Sequence, residues 1–403
     1  MERALQGIRV VDLTHVLAGP TATMILADLG AEVIHVEPLS GDDAREFAPF
    51  VGEVHKNHSA YFASLNRNKK SLALNLKHER GKEILRQLIK VSDVIIENYK
   101  PTTMAELGFS WEVIHSLNPA IIYASISGFG RDTPAEYRTR PAYDIVAQAY
   151  SGLMSITGPE DGVPCRVGSS VGDIFAGHQA AIAILAALIR REKTGVGQYY
   201  DGSMVDGLFA VLENAVVHYT VGGRIPKPQG TAHSSIAPFQ AFPTDDGWII
   251  IAIGTDKTWT RFCGVIGRPE LSQHPDYKNN PLRAKNRKSL AEIIANETKK
   301  RKTADWCRIF EKEEVPHSPI NNMKQICEDP CIAYRQMLVE IDQPEMGRIK
   351  IAGSPLHLSE TPGAVYAPAP RLGEHTEEIL TGLLNYSVEE VSALEKSGVI
   401  GRG

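Results

Sequence analysis

Five cysteines scattered over 403 residues leave one thiol without a mate and read as reduced side chains, not as the paired framework of a small secreted domain. Cys327 and Cys331 stand close together, but no second pair or histidine cluster accompanies them, so no metal site is expected. The opening Met1-Glu2-Arg3-Ala4-Leu5-Gln6-Gly7 lacks the apolar core of a signal peptide, and no run of about 18 apolar residues marks a membrane span. A cytoplasmic protein with no membrane partner is expected. A net charge of −5 and a pI near 6.2 give no basic footprint, which excludes nucleic acid as the expected partner. His-x-x-x-His pairs and a phosphate-loop lysine are missing, so metal hydrolysis has no support.

What is present describes a globular chain, 43% hydrophobic and 23% charged, too long for one comfortable core. Ile8 to Thr14 reads as a strand, Ala18 to Leu29 as a helix and Ala31 to Glu37 as a second strand. Short apolar runs recur at Val94-Ile95-Ile96 and Ile121 to Ser125, separated by helix-length segments, which predicts an α/β domain with a parallel sheet. Its ligand rim is expected at the carboxyl ends of the strands, at Thr14 to Pro20, Glu37, Asn98 and Ser125 to Gly128. A dinucleotide is not the favoured occupant. The first turn carries only Ala18-Gly19-Pro20, and Pro20 removes an N–H from the loop that would cradle a pyrophosphate.

Composition shifts near Gly222, where Pro226, Pro228 and Gly230 read as a linker. Strands around Asp245-Asp246-Gly247 and charged helices over Arg287 to Arg301 and Thr303 to Glu314 then predict a smaller α+β unit. The expected division is a large α/β domain over 1–222, a small domain over 223–330 and a tail over 331–403, with a strand at Arg348 to Ile351. By itself the tail reads either as a third unit or as a return to the first domain.

The densest chemical signal is Gly168-Ser169-Ser170-Val171-Gly172-Asp173, which delivers one carboxylate to the start of an apolar helix, Ile174 to about Arg190. That helix is apolar nearly all round and is expected to be buried. Asp173 reads either as its N-cap or as a nucleophile toward an acyl carbon, with flanking glycines admitting a flat acyl group and helix-terminal N–H groups facing a developing oxyanion. Basic residues at Arg67, Lys69, Lys70, Lys100, Arg131, Arg138 and Arg140 suit a phosphate-bearing ligand if they share one rim.

Taken together the chain resembles the class III coenzyme A transferases. The likeness runs through Ala18-Gly19-Pro20, Gly30 to Ile34, Asn66 to Ser71, Glu97-Asn98-Tyr99, Ser127 to Gly130, Gly172-Asp173, Gly197-Gln198, Asp246-Gly247-Trp248 and Leu372 to Thr376. The resemblance implies a Rossmann-like large domain completed by the returning tail, a smaller α+β domain, and an interlocked homodimer. It implies a substrate pair of acyl-CoA and small carboxylic acid, and no prosthetic group. Asp173 is the implied nucleophile, passing through an aspartyl mixed anhydride and an aspartyl-CoA thioester. His15, Val16, Leu17 and Ala18 are expected at the CoA thiol end, Asn98 and Tyr99 beside its nucleotide or pantetheine, and Lys69, Lys70 and Arg140 among its binding residues. Tyr143, Asp144 and Met204 are expected around the acyl group, and His233 as a polar contact for a second carboxylate, which suggests a succinyl-type donor and a di- or hydroxy-acid acceptor. Leu17, Pro38 and Glu106 replace residues of the oxalate branch, so oxalate is not the expected acid. The α-methylacyl-CoA racemases of the same family are the alternative. They pair the aspartate with a histidine where this chain has Tyr143, and a phenol of pKa near ~10 is a poor proton shuttle at neutral pH.

Overall fold

The computed structural model describes residues 2–51 and 58–403. The chain divides into two compact units, one of residues 1–153, 167–216 and 330–403, the other of 154–166 and 217–329.

The first unit is built on a seven-stranded sheet. Its strands are β1 (Arg9–Leu13), β2 (Glu32–Glu37), β3 (Lys69–Leu74), β4 (Val94–Glu97), β5 (Ile122–Ser127) and β6 (Tyr199–Ser203), all parallel, with β12 (Ile400–Gly401) antiparallel at the edge. The order is β12-β3-β2-β1-β4-β5-β6, so the chain winds outward from β1 through β2 and β3, then reverses through β4 to β6. The reversal falls between β1 and β4, where a doubly wound sheet opens its ligand crevice. Strand side chains alternate between two cores: Val11, Leu13, Ile34 and Val36 face one side, while Val10, Val33, Val94 and Ile96 face the other.

On the first face lie α3 (Glu79–Lys90) and the returning tail. On the second lie α1 (Ala18–Asp28), α5 (Val171–Thr194) and α6 (Met204–Ala210). The tail brings back β12 and a hairpin of β10 (Leu338–Gln343) and β11 (Gly347–Ala352). Helices α1 and α5 touch backbone to backbone: a Cβ on Gly177 would lie 2.6 Å from the Ala18 carbonyl oxygen and 2.7 Å from Thr21 Cβ. Only glycine allows that approach.

Four features differ from the sequence reading. Helix α5 begins at Val171 and runs 24 residues, long and apolar enough by composition to cross a membrane. It is not buried all round either. Ala176, Ala180, Ala181, Ile184, Ala187 and Leu188 are packed, but Phe175, Ile182 and Ile189, spaced seven apart, stand exposed along the opposite side. Strand β3 went unread because it opens with two lysines and Ser71, although Leu72-Ala73-Leu74 is apolar. Residues 154–166 belong with the second unit, where the Gly230 N–H reaches the Gly158 carbonyl at 2.9 Å and Lys288 pairs with Glu160 at 2.9 Å.

The second unit carries an antiparallel sheet of β7 (Phe239–Pro243), β8 (Trp248–Ala252) and β9 (His317–Pro319). Helices α7 (Asp256–Val265), α8 (Arg287–Thr298) and α9 (Thr303–Lys312) pack on it around Trp259, Phe262, Trp306 and Phe310. Arg283 is fully buried there, donating to the carbonyls of Ala237 and Tyr277 and to Asp256.

Candidate active site

At the β1/β4 reversal, the Asn98 side chain clamps the turn after β1 from both directions. Its Oδ1 accepts the His15 N–H at 2.9 Å, and its Nδ2 donates to the His15 carbonyl at 2.9 Å. The His15 ring stacks on Tyr99 at 5.7 Å. Burial pushes the His15 pKa down and that of the Tyr99 phenol up. Val16 has φ 64°, a strained setting for a β-branched residue, and its N–H lies 3.3 Å from both oxygens of Asp42. Leu17 is the N-cap residue of α1, and Ala18 starts the helix packed against Gly177.

This turn borders a cavity of about 740 Å³ that Thr14, His15, Glu37 and Tyr99 share with Ser40 to Asp43, Leu74 to Lys77 and Leu107. Lys77 and the 74–77 turn were not singled out from the sequence. They follow β3, and missing that strand hid them.

Asp173 sits in the first turn of α5, yet it caps nothing: the N-cap residue is Ser170, and no hydrogen bond reaches the Asp173 carboxylate from any described residue. The cap comes from α4 (Asp144–Tyr150). Asp144, buried, accepts the Gly172 N–H at 2.8 Å on Oδ1 and the Gln148 amide at 2.7 Å on Oδ2. Gln148 in turn accepts the Val167 N–H at 2.9 Å, which fixes the approach of the 167–170 loop. Burial, and then the charge of Asp144, raises the Asp173 pKa from 3.8 to about 7, against the pull of the helix N-terminus toward the anion. Residues 173 and 177 lie one turn apart on one face of α5. The contact of Gly177 with Ala18 therefore brings Asp173 toward the turn that starts α1. Tyr61, in α2 (Ala60–Asn66), escaped sequence reading. Burial, then Asp173 and Asp42, pushes its phenol up to about 12, so it remains a hydrogen-bond donor near the carboxylate.

Several expected residues do not join this arrangement. Lys69 and Lys70 open β3 at the amino end of the sheet, in register with Val33 and Ile34, away from the carboxyl rim. The Lys69 side chain is sealed, its Nζ donating to Asp12 at 3.1 Å, Thr23 at 2.7 Å and Asn66 at 2.9 Å. Lys70 pairs with Glu32 and Glu378, both at 2.8 Å. Arg67 is likewise bidentate to Asp28, and Arg131 is bound to Glu97. Arg140 is exposed, its Nε donating to the Glu136 carbonyl at 3.1 Å and its guanidinium 4.5 Å from the Tyr137 ring centre. Tyr143 is 80% exposed and its side chain hydrogen-bonds no described residue, so within one chain it lines no acyl pocket. Met204 is buried at the start of α6, and a Cβ on Gly128 would stand 3.8 Å from its Cε. His233 lies in the second unit, with Nδ1 occupied by the N–H groups of Ser235 at 3.0 Å and Ile236 at 3.1 Å, which leaves only Nε2 for a ligand.

Residues 5–376 match the sequence profile of "CoA-transferase family III". The succinyl-CoA:glutarate CoA-transferase of Homo sapiens is 41% identical over 400 residues, covering 99% of this chain and 90% of the relative. The succinyl-CoA:mesaconate CoA-transferase of Haloarcula hispanica is 39% identical, covering 94% of this chain and 96% of the relative. Among solved structures, a CAIB/BAIF family protein from Brucella suis superposes with a TM-score of 0.84 at 35% identity, covering 95% of this chain and all of the other.

Proposed function

This chain belongs to CoA-transferase family III and is itself a CoA-transferase, and we propose that it works through Asp173, taking coenzyme A from a succinyl-CoA-type donor to a di- or hydroxy-acid acceptor. One observation carries the reading: Asp173 is a half-buried carboxylate that accepts no hydrogen bond from any described residue, brought by the α1–α5 contact toward the clamped turn at the sheet reversal. A carboxylate without hydrogen bonds is a poorly solvated and hence stronger nucleophile once ionised.

The ionised Asp173 oxygen attacks the thioester carbon, the C–S bond breaks, and CoA leaves as a thiolate. The resulting mixed anhydride is attacked by that thiolate at the aspartyl carbonyl, which releases the donor acid and forms an aspartyl-CoA thioester. The acceptor carboxylate attacks this thioester, regenerating an anhydride and the thiolate, and the thiolate then takes the acceptor acyl group and frees Asp173. Each bond made is matched by one broken, and no net proton moves. N–H groups of the first turn of α5 face the oxyanions, while Asp144, by holding Gly172, fixes where that turn begins.

The cavity bordered by His15, Tyr99 and Lys77 accommodates the nucleotide end of CoA in this reading. Two relatives named for dicarboxylate acceptors support a dicarboxylate here. The exposed row of Phe175, Ile182 and Ile189 supports an interlocked homodimer in which a second copy covers α5. The enzyme is cytoplasmic and needs no prosthetic group, CoA being substrate. Incubation with succinyl-CoA and a panel of acids, read by mass spectrometry of the thioesters, should yield a new dicarboxylyl-CoA and free succinate. Hydrolysis alone across the panel would overturn the assignment.

A further inference from the structure

Behind the 14–17 turn, bordering the same cavity through His35, Glu37 and Asp42, lies a buried charge cluster that the transfer steps do not use. His35, in β2, is buried. Its Nδ1 is 3.3 Å from Asp12 Oδ2, and its Nε2 is 3.6 Å from Asp42 Oδ2 and 4.0 Å from Glu37 Oε2. These are ion-pair distances, although neither nitrogen is aligned for a hydrogen bond. Its carboxylate partners are in turn bound by Lys69 and Ser71 from β3 and by Arg45 from the turn after β2, while His15, from the turn after β1 and itself facing exposed Asp43, acts on His35 electrostatically and the Phe62 ring of α2 lies at 6.2 Å.

Three buried carboxylates, Asp12, Glu37 and Asp42, thus face two basic side chains, Arg45 and Lys69, the latter with its pKa pulled down by burial. Arg45 is bidentate to Glu37, and the three donated bonds of Lys69 are those of an ammonium. An imidazolium at His35 completes the charge balance that burial demands. Burial alone would lower the His35 pKa, but Asp12 and Glu37 outweigh it and raise it to about 9.

The remaining bonds of two of those carboxylates reach the candidate CoA turn. Asp12 Oδ1 accepts the Thr14 N–H at 2.9 Å and its hydroxyl at 2.5 Å. Asp42 receives the Val16 N–H and, at 2.8 Å, that of Ala44. Val16 has left-handed backbone geometry, which persists only where its surroundings hold it.

We propose that His35 is a positioning residue for the acyl-CoA substrate, an imidazolium that ties Asp12 to Asp42 and so holds the Thr14–Val16 turn in the shape that receives the CoA ester. This rests on the reading of that turn as the acyl-CoA seat. Its test compares the full-length wild type with His35→Gln, measuring kcat and KM for succinyl-CoA between pH 6 and 10 while circular dichroism follows the fold.

In the wild type, KM for succinyl-CoA should stay flat through neutral pH and climb as pH passes about 9. His35→Gln should raise that KM about tenfold at pH 7, with a smaller change in kcat and no further climb near pH 9. A folded variant with unchanged KM would overturn the inference. If His35→Gln does not fold, the wild type decides alone: a flat KM to pH 10 with the fold intact overturns it. Hydroxylamine trapping of Asp173 in the wild type separates the two claims. Absence of trapping refutes the transfer reading beneath, whereas trapping together with an indifferent His35→Gln refutes only the role of His35.

Discussion

Asp144 accepts the N–H of Gly172 at 2.8 Å, one residue before Asp173, so the carboxylate that fixes the start of α5 also acts electrostatically on the candidate nucleophile. Asp144→Asn keeps an oxygen for the Gly172 N–H but removes the charge. Burial still raises the Asp173 pKa, though less. The acid limb of kcat/KM, expected near pH 7 in the wild type, should move to lower pH in Asp144→Asn; a limb that stays in place would separate the two carboxylates.

The same shift has a stability consequence whose sign is opposite to that of a salt-bridged aspartate. Asp173 titrates at about 7 folded and near 3.8 when free, so between those values the native state binds the extra proton and stability falls as pH rises. Asp173→Asn removes this penalty. Its melting temperature should match the wild type near pH 4 and exceed it increasingly up to about pH 7, then run parallel; a constant offset at all pH values would contradict the raised pKa. Transfer by the same variant should fall ~10³-fold or more, as expected for a lost nucleophile.

The legible part of this molecule was the part written in apolar periodicity. The β1–α1–β2 unit, β4, β5 and the carboxyl rim follow from short runs spaced by helices, and Asp173 from one carboxylate among glycines. Strand β3 was hidden because Lys69 spends its charge on Asp12 inside the unit, a partnership across 57 positions that no local pattern encodes. Asp144 capping α5 from 28 residues away, and Tyr61 near Asp173, are hidden for the same reason. The exposed row on α5 looked like core because composition records apolarity, not which face finds a neighbour.

Lys69 and Lys77 should therefore behave differently. Lys69→Met strands a buried Asp12 carboxylate and should cost about 3–5 kcal/mol of stability. Lys77→Ala should leave melting unchanged and raise KM for CoA esters about tenfold, with little change in kcat, if its ammonium meets phosphate. Equilibrium denaturation and initial rates at low salt separate the two; a KM insensitive to Lys77→Ala would remove that lysine from the CoA site.

Tyr143 distinguishes transfer from racemisation. Its exposed phenol hydrogen-bonds no described residue of its own chain, so it is not set as a base opposite Asp173. A single enantiomer of a 2-methylacyl-CoA, incubated with wild-type protein and no acceptor, should keep its configuration on chiral analysis. Inversion as fast as CoA transfer would put the racemase reading first.

The most direct test of the central claim is to capture the covalent intermediate. With hydroxylamine added during turnover of succinyl-CoA, peptide mass spectrometry should find one hydroxamate, on Asp173, and none in Asp173→Asn. A protein that transfers CoA at full rate with Asp173 unmodified, or with the hydroxamate on another carboxylate, would contradict the account.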